Sequence, residues 1–205
     1  MSEHYYTEVP LSKINVFTIT PLIRTRRFQL KTCSGVFSHK KLDKGTSLLL
    51  KQMQIPETAS HVLDMGTGYG VIGIVVATEY PRVHVTMVDI NRRAVWIARE
   101  NVKINNLSNV KVYWGDFYEP TKNQKFDLIL TNPPLSQGQE KIFKFISDTP
   151  KFLMEGGYFY LVVRTKQGAK KIAEMMKTFI GNVELLKIQS GYRLFRSQKT
   201  NNQIR

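Results

Sequence analysis

Residues 64–73 read Asp64-Met-Gly-Thr-Gly-Tyr-Gly-Val-Ile-Gly73, or DMGTGYGVIG, and this glycine-rich stretch carries the strongest signal for the fold. It overlaps an apolar run at 61–66 that is typical of a buried strand, and it leads into a helical run at 71–80. Glycines permit a tight turn between a strand and a helix, because they adopt backbone conformations that other residues disfavour. The stretch therefore predicts a strand–loop–helix unit in which a ligand lies against bare backbone at the helix N-terminus.

Segments with strand and helix character alternate along most of the chain. The predicted strands are 61–66, 83–89, 109–116, 126–131 and 158–163, and the predicted helices are 71–80, 92–105, 139–154 and 169–179. Strands that alternate with helices pair in parallel through right-handed crossovers. Two further strands flank Ser190-Gly191, and their turn is too short for a crossover. The sequence predicts an α/β fold, a doubly wound and mostly parallel seven-stranded Rossmann-like sheet with a terminal antiparallel hairpin.

The N-terminal part has a different pattern and predicts a small β extension. Residues 14–20 and 24–31, separated by Pro21, are expected to pair as an antiparallel hairpin, and a helix that ends before Pro56 follows. We therefore expect an N-terminal hairpin or cover segment at 1–45, a main domain at 46–197 and a flexible tail at 198–205.

The bulk properties favour one soluble, intracellular domain. The chain has 205 residues, enough for one full-size core, and a single cysteine, Cys33, which excludes an intrachain disulfide. The polar N-terminus lacks the apolar segment of a signal peptide, so we expect a cytoplasmic protein that does not associate with membranes. The four histidines show no metal-ligand spacing, and we expect no metal.

The net charge indicates a polyanionic partner. The formal charge is +14, and it is concentrated at the two ends, because residues 51–160 carry 12 basic and 11 acidic residues. A nearly neutral middle with basic flanks is typical of a catalytic domain with margins that bind nucleic acid. We expect RNA as the partner. The basic side chains expected to contact it are Arg24, Arg26, Arg27, Arg193 and Arg196.

The glycine loop is compatible with two cofactor classes. Gly68, Gly70 and Gly73 form the G-x-G-x-x-G pattern of dinucleotide-binding turns, whereas the longer pattern from Asp64 is found in methyl-transferring enzymes. Asp89, at the end of the second strand, can accept hydrogen bonds from ribose hydroxyls in either class. Asp64 could face the amino group of an amino-acid moiety, or it could fix the loop through backbone N–H groups. Asp116, which ends the third strand, could contact an adenine amino group.

The residues after the fourth strand, Asn132-Pro133-Pro134-Leu135, favour the methyl-transfer interpretation. The lone pair of a planar exocyclic amine is delocalised, so methylation requires that the nitrogen rehybridise. The Asn132 side-chain oxygen and the Pro133 carbonyl can accept the two amine hydrogens and direct the lone pair at a sulfonium methyl group. Prolines hold these acceptors rigidly, which lowers the reorganisation needed in the transition state. Hydride transfer requires no such group.

These motifs resemble class I S-adenosylmethionine-dependent methyltransferases, and the chain as a whole resembles the guanine-N2 methyltransferases of small-subunit ribosomal RNA. The resemblance includes HYYTEVP at 4–10, GVFS at 35–38, LDxGT at 42–46, the glycine loop, Asp89-x-Asn91 and Asn132-Pro-Pro134. It implies a methyltransferase fold, the cofactor S-adenosylmethionine and methylation of an exocyclic amine, most simply guanine N2 in RNA. By this resemblance Asn132 and Pro133 position the acceptor amine. The cofactor contacts would include Asp64, Gly66, Thr67, Gly68, Gly70, Asp89, Ile90, Asp116, Phe117 and Asn132, with Phe37 and Thr46 on the N-terminal side.

Two departures from the family leave the acceptor open. Position 135 is Leu, where many amine methyltransferases have an aromatic residue that stacks on a flipped base, although Leu135 could still contact RNA. Stacking would then come from Phe37, Tyr5 or Tyr6. We also expect the chain to act without the additional N-terminal domain of the bacterial RNA enzymes. A protein glutamine-amide N-methyltransferase is the alternative, and a nicotinamide-dependent oxidoreductase fits the glycines but not Asn132.

Overall fold

The computed structural model describes residue 8, residues 13–133 and residues 138–200, with residue 139 described by its backbone alone. The N-terminal strands are β1 (Val16–Ile19), β2 (Leu22–Ile23), β3 (Arg26–Arg27) and β4 (Leu30–Cys33). The later strands are β5 (His61–Met65), β6 (His84–Asp89), β7 (Val110–Trp114), β8 (Phe126–Thr131), β9 (Leu153–Arg164), β10 (Glu184–Gln189) and β11 (Tyr192–Gln198). The helices are α1 (Lys44–Gln52), α2 (Val71–Glu79), α3 (Arg92–Ile104), α4 (Gln139–Phe152) and α5 (Ala169–Ile180).

Seven strands form one mixed sheet in the order β10-β11-β9-β8-β5-β6-β7. The pairs β7–β6, β6–β5, β5–β8 and β8–β9 are parallel, whereas β11 is antiparallel to both β9 and β10. The strand order reverses at β5, so the crevice at the carboxyl ends of β5 and β8 is a topological switch point. The predicted doubly wound sheet with its terminal antiparallel hairpin is confirmed.

The N-terminal strands are nested, which differs from the predicted hairpin. β1 pairs with β4, with Val16 opposite Cys33, and β2 pairs with β3 inside that loop, with Leu22 opposite Arg27. The segment 24–31 was expected to form one strand, and that expectation is wrong. Arg24 adopts a positive φ of 52° and begins a tight turn that splits the segment. The alternation of apolar and polar residues does not reveal a turn of this kind, because arginine rarely adopts a positive φ.

The helices cover both faces of the sheet, and the segment before α1 belongs to the same core. Ile23, Phe28, Leu30 and Cys33 are buried in one cluster with residues of α1, α2 and α3, while α4 and α5 pack on the opposite face. Burial raises the pKa of the Cys33 thiol to about 11, although the Arg93 charge partly opposes this. The described residues from Ile23 to Cys33 therefore pack in the same core as the helices of the main domain. None of the described helices is long and apolar enough to span a membrane.

Candidate active site at the carboxyl edge of the sheet

A pocket of about 950 Å³, including its open mouth, lies beside the switch point. Most of its wall comes from the glycine loop, the ends of β6 and β8, the loop at 36–38 and the start of α1. The sequence-predicted residues on its wall are Phe37, Thr46, Gly66, Thr67, Gly68, Asp89, Ile90, Asp116, Phe117, Asn132 and Pro133. Residues far apart in the chain therefore converge on one site. The space is large enough for a nucleoside cofactor with an amino-acid chain.

The glycine loop is fixed to the end of β6. The backbone N–H groups of Gly66 and Thr67 both donate to the carbonyl of Val88, at 2.9 and 3.1 Å. Gly66, Gly68 and Gly70 have φ values of +71°, +59° and +92°, and residues with a side chain rarely adopt such positive values. The loop thus bends over the β6 end and directs α2 away from the pocket. Gly70 is the N-cap of α2 and does not itself line the pocket.

Asp64 lies beneath the loop and is fully buried. Its Oδ2 accepts hydrogen bonds from Thr67 Oγ1 at 2.5 Å and from the Gly73 N–H at 2.9 Å. Its Oδ1 is buried and has no hydrogen-bond partner among the described residues. Desolvation raises the pKa of this carboxyl to about 7, against the lowering effect of the two hydrogen bonds. In this structure Asp64 fixes the loop and is not part of the pocket wall.

Asp89 closes the other side of the loop and lines the pocket. Its Oδ2 accepts from the Gly68 N–H at 2.8 Å, and its Oδ1 accepts from the Asn91 N–H at 2.9 Å. Burial raises its pKa to about 6, because desolvation outweighs the backbone hydrogen bonds. Each carboxylate oxygen has a second lone pair. Asp89 can therefore hold paired ribose hydroxyls while it keeps its bonds to the loop.

Asn91 explains the spacing Asp89-x-Asn91. Its Oδ1 caps α3 by accepting from the N–H groups of Arg93 and Ala94, and its Nδ2 donates to the carbonyl of Gly35 at 2.9 Å. Arg93 donates to the neighbouring carbonyl of Ser34. These bonds hold the loop that supplies Val36, Phe37 and Ser38 to the pocket wall. The GVFS motif is thus anchored by the helix cap that follows Asp89.

Asn132 is held at the end of β8 by its amide nitrogen. Nδ2 donates to Asp43 Oδ2 and to Thr46 Oγ1, both at 2.9 Å. Because a carboxylate oxygen only accepts, these bonds assign the NH₂ group to this side of the amide. Oδ1 has no hydrogen-bond partner within the described part of the chain. The half-buried side chain therefore keeps a fixed acceptor at the pocket wall.

Asp43 connects Asn132 to the last strand, and the sequence did not identify it as a site residue. It is buried and forms the N-cap of α1, where Oδ2 accepts from the Thr46 N–H at 2.9 Å. Oδ1 accepts from the Tyr192 hydroxyl at 2.8 Å. A Cβ on Gly45 would lie 2.5 Å from the Tyr192 ring, so glycine allows this approach. The acid–glycine spacing in LDxGT was the signal that could have revealed Asp43.

The basic residues expected to bind RNA occupy different places. The Arg24 guanidinium bonds Glu79 at 2.6 Å and the carbonyls of Leu50 and Met53, at the C-terminal ends of α2 and α1. The β2–β3 hairpin thus lies toward the amino edge of the sheet, one helix length from the pocket. Arg24 has a structural role there, which the charge pattern did not indicate. Arg26 and Arg27 are exposed on the same hairpin.

The two arginines of β11 are partly buried, and the remaining predictions lie elsewhere. Arg196 pairs with Glu184 at 2.6 Å and lies over the Tyr158 ring. The Nε of Arg193 is buried and has no partner among the described residues. Leu135, Tyr5 and Tyr6 lie outside the described residues. Within the described ranges, no cluster of His, Cys, Asp and Glu side chains could hold a metal ion.

Comparison with known proteins identifies the family. The model of the family described as methyltransferase small domain matches residues 27–196, most of the chain. The chain belongs to the methyltransferase small domain family. The resemblance to class I methyltransferases seen in the motifs is confirmed, and the nicotinamide-dependent alternative has no support. The match begins at Arg27, so the family pattern includes much of the segment that precedes α1.

This methyltransferase domain is similar both to a protein of about its own length and to longer proteins. It is 34% identical to the uncharacterized protein YbxB of Bacillus subtilis (strain 168) over 200 residues, 97% of this chain and 100% of that protein. It is 33% identical to ribosomal RNA small subunit methyltransferase C of Aliivibrio salmonicida (strain LFI1238), over 83% of this chain and 50% of that protein. The chain thus spans about half the length of the curated ribosomal RNA methyltransferases that it matches.

A solved structure has the same fold. The 16S rRNA N2 methyltransferase of T. thermophilus, in complex with AdoMet and guanosine, superposes with a TM-score of 0.81 at 24% identity. The match covers 93% of this chain and 52% of the other. The seven-stranded methyltransferase fold predicted from the alternating strands and helices is confirmed.

Proposed function

We propose that this chain transfers a methyl group from S-adenosylmethionine to the exocyclic N2 of guanine in ribosomal RNA. The observation that carries the proposal is Asn132, whose amide nitrogen is held by Asp43 and Thr46 so that its oxygen remains available beside the pocket. The names of the relatives support the same chemistry, since both a curated relative and a structural neighbour are ribosomal RNA methyltransferases. Such an enzyme would act in the cytoplasm, where ribosomes are assembled.

The residues of the pocket suit the cofactor. The ionised Asp89 would accept the ribose hydroxyls, Ile90 and Phe117 would enclose the adenine ring, and Asp116 would accept from its amino group. Phe117 is stacked on Phe145 at a centroid distance of 5.1 Å, which gives this wall a rigid aromatic surface. Asp64 would support the loop from below. The bound cofactor supplies an electrophilic methyl group on a sulfonium.

The transfer is a displacement in which the new N–C bond forms as the S–C bond breaks. The guanine N2 lone pair attacks the methyl carbon, and the S–C electron pair remains on sulfur, which leaves as the thioether of S-adenosylhomocysteine. The nitrogen then carries a positive charge, and one of its two protons departs to solvent. Asn132 Oδ1 and the Pro133 carbonyl would accept the N2 hydrogens and stabilise the developing charge without reorganisation. Phe37, on the pocket wall, would stack on the base.

Nucleoside mass spectrometry tests this function. An extract of cells that lack the gene, which contains both RNA and protein, is incubated with the protein and with S-adenosylmethionine that carries a deuterated methyl group. N2-methylguanosine with the heavy methyl group is the expected product, and Asn132→Ala serves as the matched inactive control. Label found in a protein glutamine, or in another nucleoside, would contradict the guanine assignment. The glutamine-amide alternative predicts label in protein and none in RNA.

A further inference from the structure

Five exposed basic side chains lie on or next to the elements that form one flank of the pocket. Lys40 and Lys41 lie two and three residues after Ser38, which lines the pocket, and Lys44 is the first residue of α1, next to Asp43. Arg164 and Lys166 lie at and just beyond the carboxyl end of β9. All five side chains are exposed. This set is called the basic rim.

Contacts around Tyr192 bring the two parts of the basic rim together. The Arg164 guanidinium carbon lies 5.1 Å from the centre of the Tyr192 ring. The same ring packs against Gly45, whose hypothetical Cβ would be 2.5 Å away, and Lys44 adjoins that glycine. The Tyr192 hydroxyl bonds Asp43, which in turn holds Asn132. The basic rim therefore borders the acceptor side of the pocket and has a fixed relation to Asn132.

The charge of the basic rim is not compensated locally. Residues 31–42 and 156–173 contain no Asp or Glu, and Asp43 is buried and already accepts three hydrogen bonds. None of the five rim residues forms an ion pair with another residue of the described ranges. The opposite wall differs, because the partly exposed carboxylate of Asp116 approaches Lys141 at 3.9 Å. Among the described residues, the acceptor side of the pocket mouth thus carries basic side chains without acidic partners, whereas the opposite wall carries an acid–base pair.

We infer that the basic rim binds the phosphate backbone of the RNA on both sides of the target nucleotide. A base that reaches Asn132 must leave its stack, and its neighbouring phosphates then lie at the pocket mouth. Lysine and arginine are suited to this contact, and each neutralised phosphate releases condensed counterions. This places the RNA surface at the carboxyl edge of the sheet, away from the β2–β3 hairpin. The inference rests on the proposed function.

Two matched charge-reversal variants test the location of this surface. The rim variant carries Lys41→Glu, Lys44→Glu and Lys166→Glu, and the control variant carries Arg82→Glu, Lys122→Glu and Lys125→Glu. The control positions are exposed and precede β6 and β8, at the amino edge. Each replacement changes the charge by −2, so three replacements lower the formal net charge from +14 to +8 in both variants. A glutamate at position 44 is also favourable in the first turn of α1.

The affinity for a fragment of small-subunit ribosomal RNA is measured by filter binding between 0.05 and 0.5 M salt, a range of roughly tenfold. The rim variant should bind about 100-fold more weakly near 0.1 M salt, and its logarithmic salt slope should fall by about 2, since each lost phosphate contact removes about 0.7–0.9. The control variant should remain close to wild type. Both variants should keep the wild-type affinity for S-adenosylhomocysteine, which shows that they fold.

Three outcomes would overturn the inference. The rim variant could keep wild-type RNA affinity, which is the result expected if the basic rim binds a protein partner instead of RNA. The rim and control variants could weaken equally, which would indicate only the general field of a basic protein. The double change Arg26→Glu and Arg27→Glu could weaken binding more than the rim variant. Failure of the proposed function gives a different result. In that case the wild-type protein transfers no methyl group to RNA, and this result does not depend on how strongly the variants bind RNA.

Discussion

The orientation of the Asn132 side-chain amide is fixed by its neighbours. A free asparagine can present either its oxygen or its nitrogen to a substrate, but here two acceptors, Asp43 Oδ2 and Thr46 Oγ1, hold the nitrogen. The oxygen is therefore committed before substrate binds, which is what preorganisation requires. The proline that follows limits the backbone as well. The proposed chemistry requires this orientation as well as the presence of an amide.

Replacement of Asn132 should affect the chemical step. We expect Asn132→Ala to lower the turnover rate by about 100-fold or more, the scale for loss of one preorganised acceptor, while affinity for S-adenosylhomocysteine stays within about twofold. Single-turnover methylation and calorimetry measure the two quantities. If turnover is unchanged and only the melting temperature falls, Asn132-Pro133 is a structural turn.

Asp43 should act as a positioning residue through Asn132. Serine also caps helices but is too short to reach both Asn132 and Tyr192, so Asp43→Ser preserves the cap and removes the orientation. We expect turnover to fall by about tenfold, equivalent to the loss of one hydrogen bond, with little change in the cofactor KM. Asp43→Asn keeps an acceptor for Asn132 and should restore most of the turnover. Equal activity of both variants would limit Asp43 to a capping role.

Asp89 should make cofactor binding depend on pH. Its pKa is raised to about 6, mainly by burial, and the ribose hydroxyls need the ionised carboxylate as acceptor. Protonation competes with binding, so affinity should be constant above about pH 7 and fall by about tenfold per pH unit below about 6. Calorimetry with S-adenosylhomocysteine measures this. Asp89→Asn should bind more weakly and show no such pH dependence, and a parallel decline in the variant would assign the titration to another group.

At the level of secondary structure, the two ends of α1 have different roles: one end contributes to the pocket and the other binds the β2–β3 hairpin. Its N-terminus carries Asp43 and Thr46 at the pocket, whereas its C-terminus accepts the Arg24 guanidinium through the carbonyls of Leu50 and Met53. The β2–β3 hairpin is therefore attached to the end of the molecule that is remote from chemistry. We therefore expect substitutions at one end of α1 to leave the contacts at the other end intact.

Arg24 should contribute to stability and not to RNA affinity. Its half-buried guanidinium bonds Glu79 at 2.6 Å and two backbone carbonyls, all of which Arg24→Met would leave without a partner. We expect the free energy of unfolding to fall by about 1–3 kcal/mol. Arg27→Met, on the exposed part of the same hairpin, is the control and should remain within about 0.5 kcal/mol of wild type. Denaturant unfolding measures both, and equal stabilities would contradict the structural role.

The elements themselves were largely readable in the sequence, while their long-range contacts were not. Local hydrophobic patterns determine element type, so the order of strands and helices was predictable, and most of the residues predicted for the site lie on one pocket wall. The role of Asp43 depends on Asn132 and Tyr192, which are 89 and 149 residues away. Arg24 looked like part of a basic surface because a charge run does not reveal the direction of its side chains.

At the scale of the whole molecule, the sheet carries a buried carboxyl at its centre. Asp64 on β5 is fully buried and its pKa is raised to about 7, chiefly by desolvation. The folded state therefore binds more protons than the unfolded state between about pH 4 and pH 7. In that window the contribution of Asp64 to stability decreases as the pH rises, and above it the contribution is constant.

The pH dependence of unfolding tests this linkage. Between about pH 4 and pH 7, the stability of wild type should fall relative to that of Asp64→Asn, whose side chain does not titrate. Urea denaturation at several pH values gives the difference between the two proteins, so other titrating groups cancel. A difference that is independent of pH would show that Asp64 does not change its protonation on folding.

The bond between Asp43 and Tyr192 also has a consequence for biosynthesis. It joins residues separated by 149 positions, and β11, which carries Tyr192, inserts between β9 and β10 although it follows both in the chain. A nascent chain that ends before β11 can contain the glycine loop, Asp89 and Asn132, yet it lacks the hydroxyl that completes the Asp43 cluster. Long-range closures of this kind are slow steps in folding. We therefore expect the arrangement of Asp43 and Asn132 to be completed only after β11 has left the ribosome, and chains that end before β11 to be inactive on RNA.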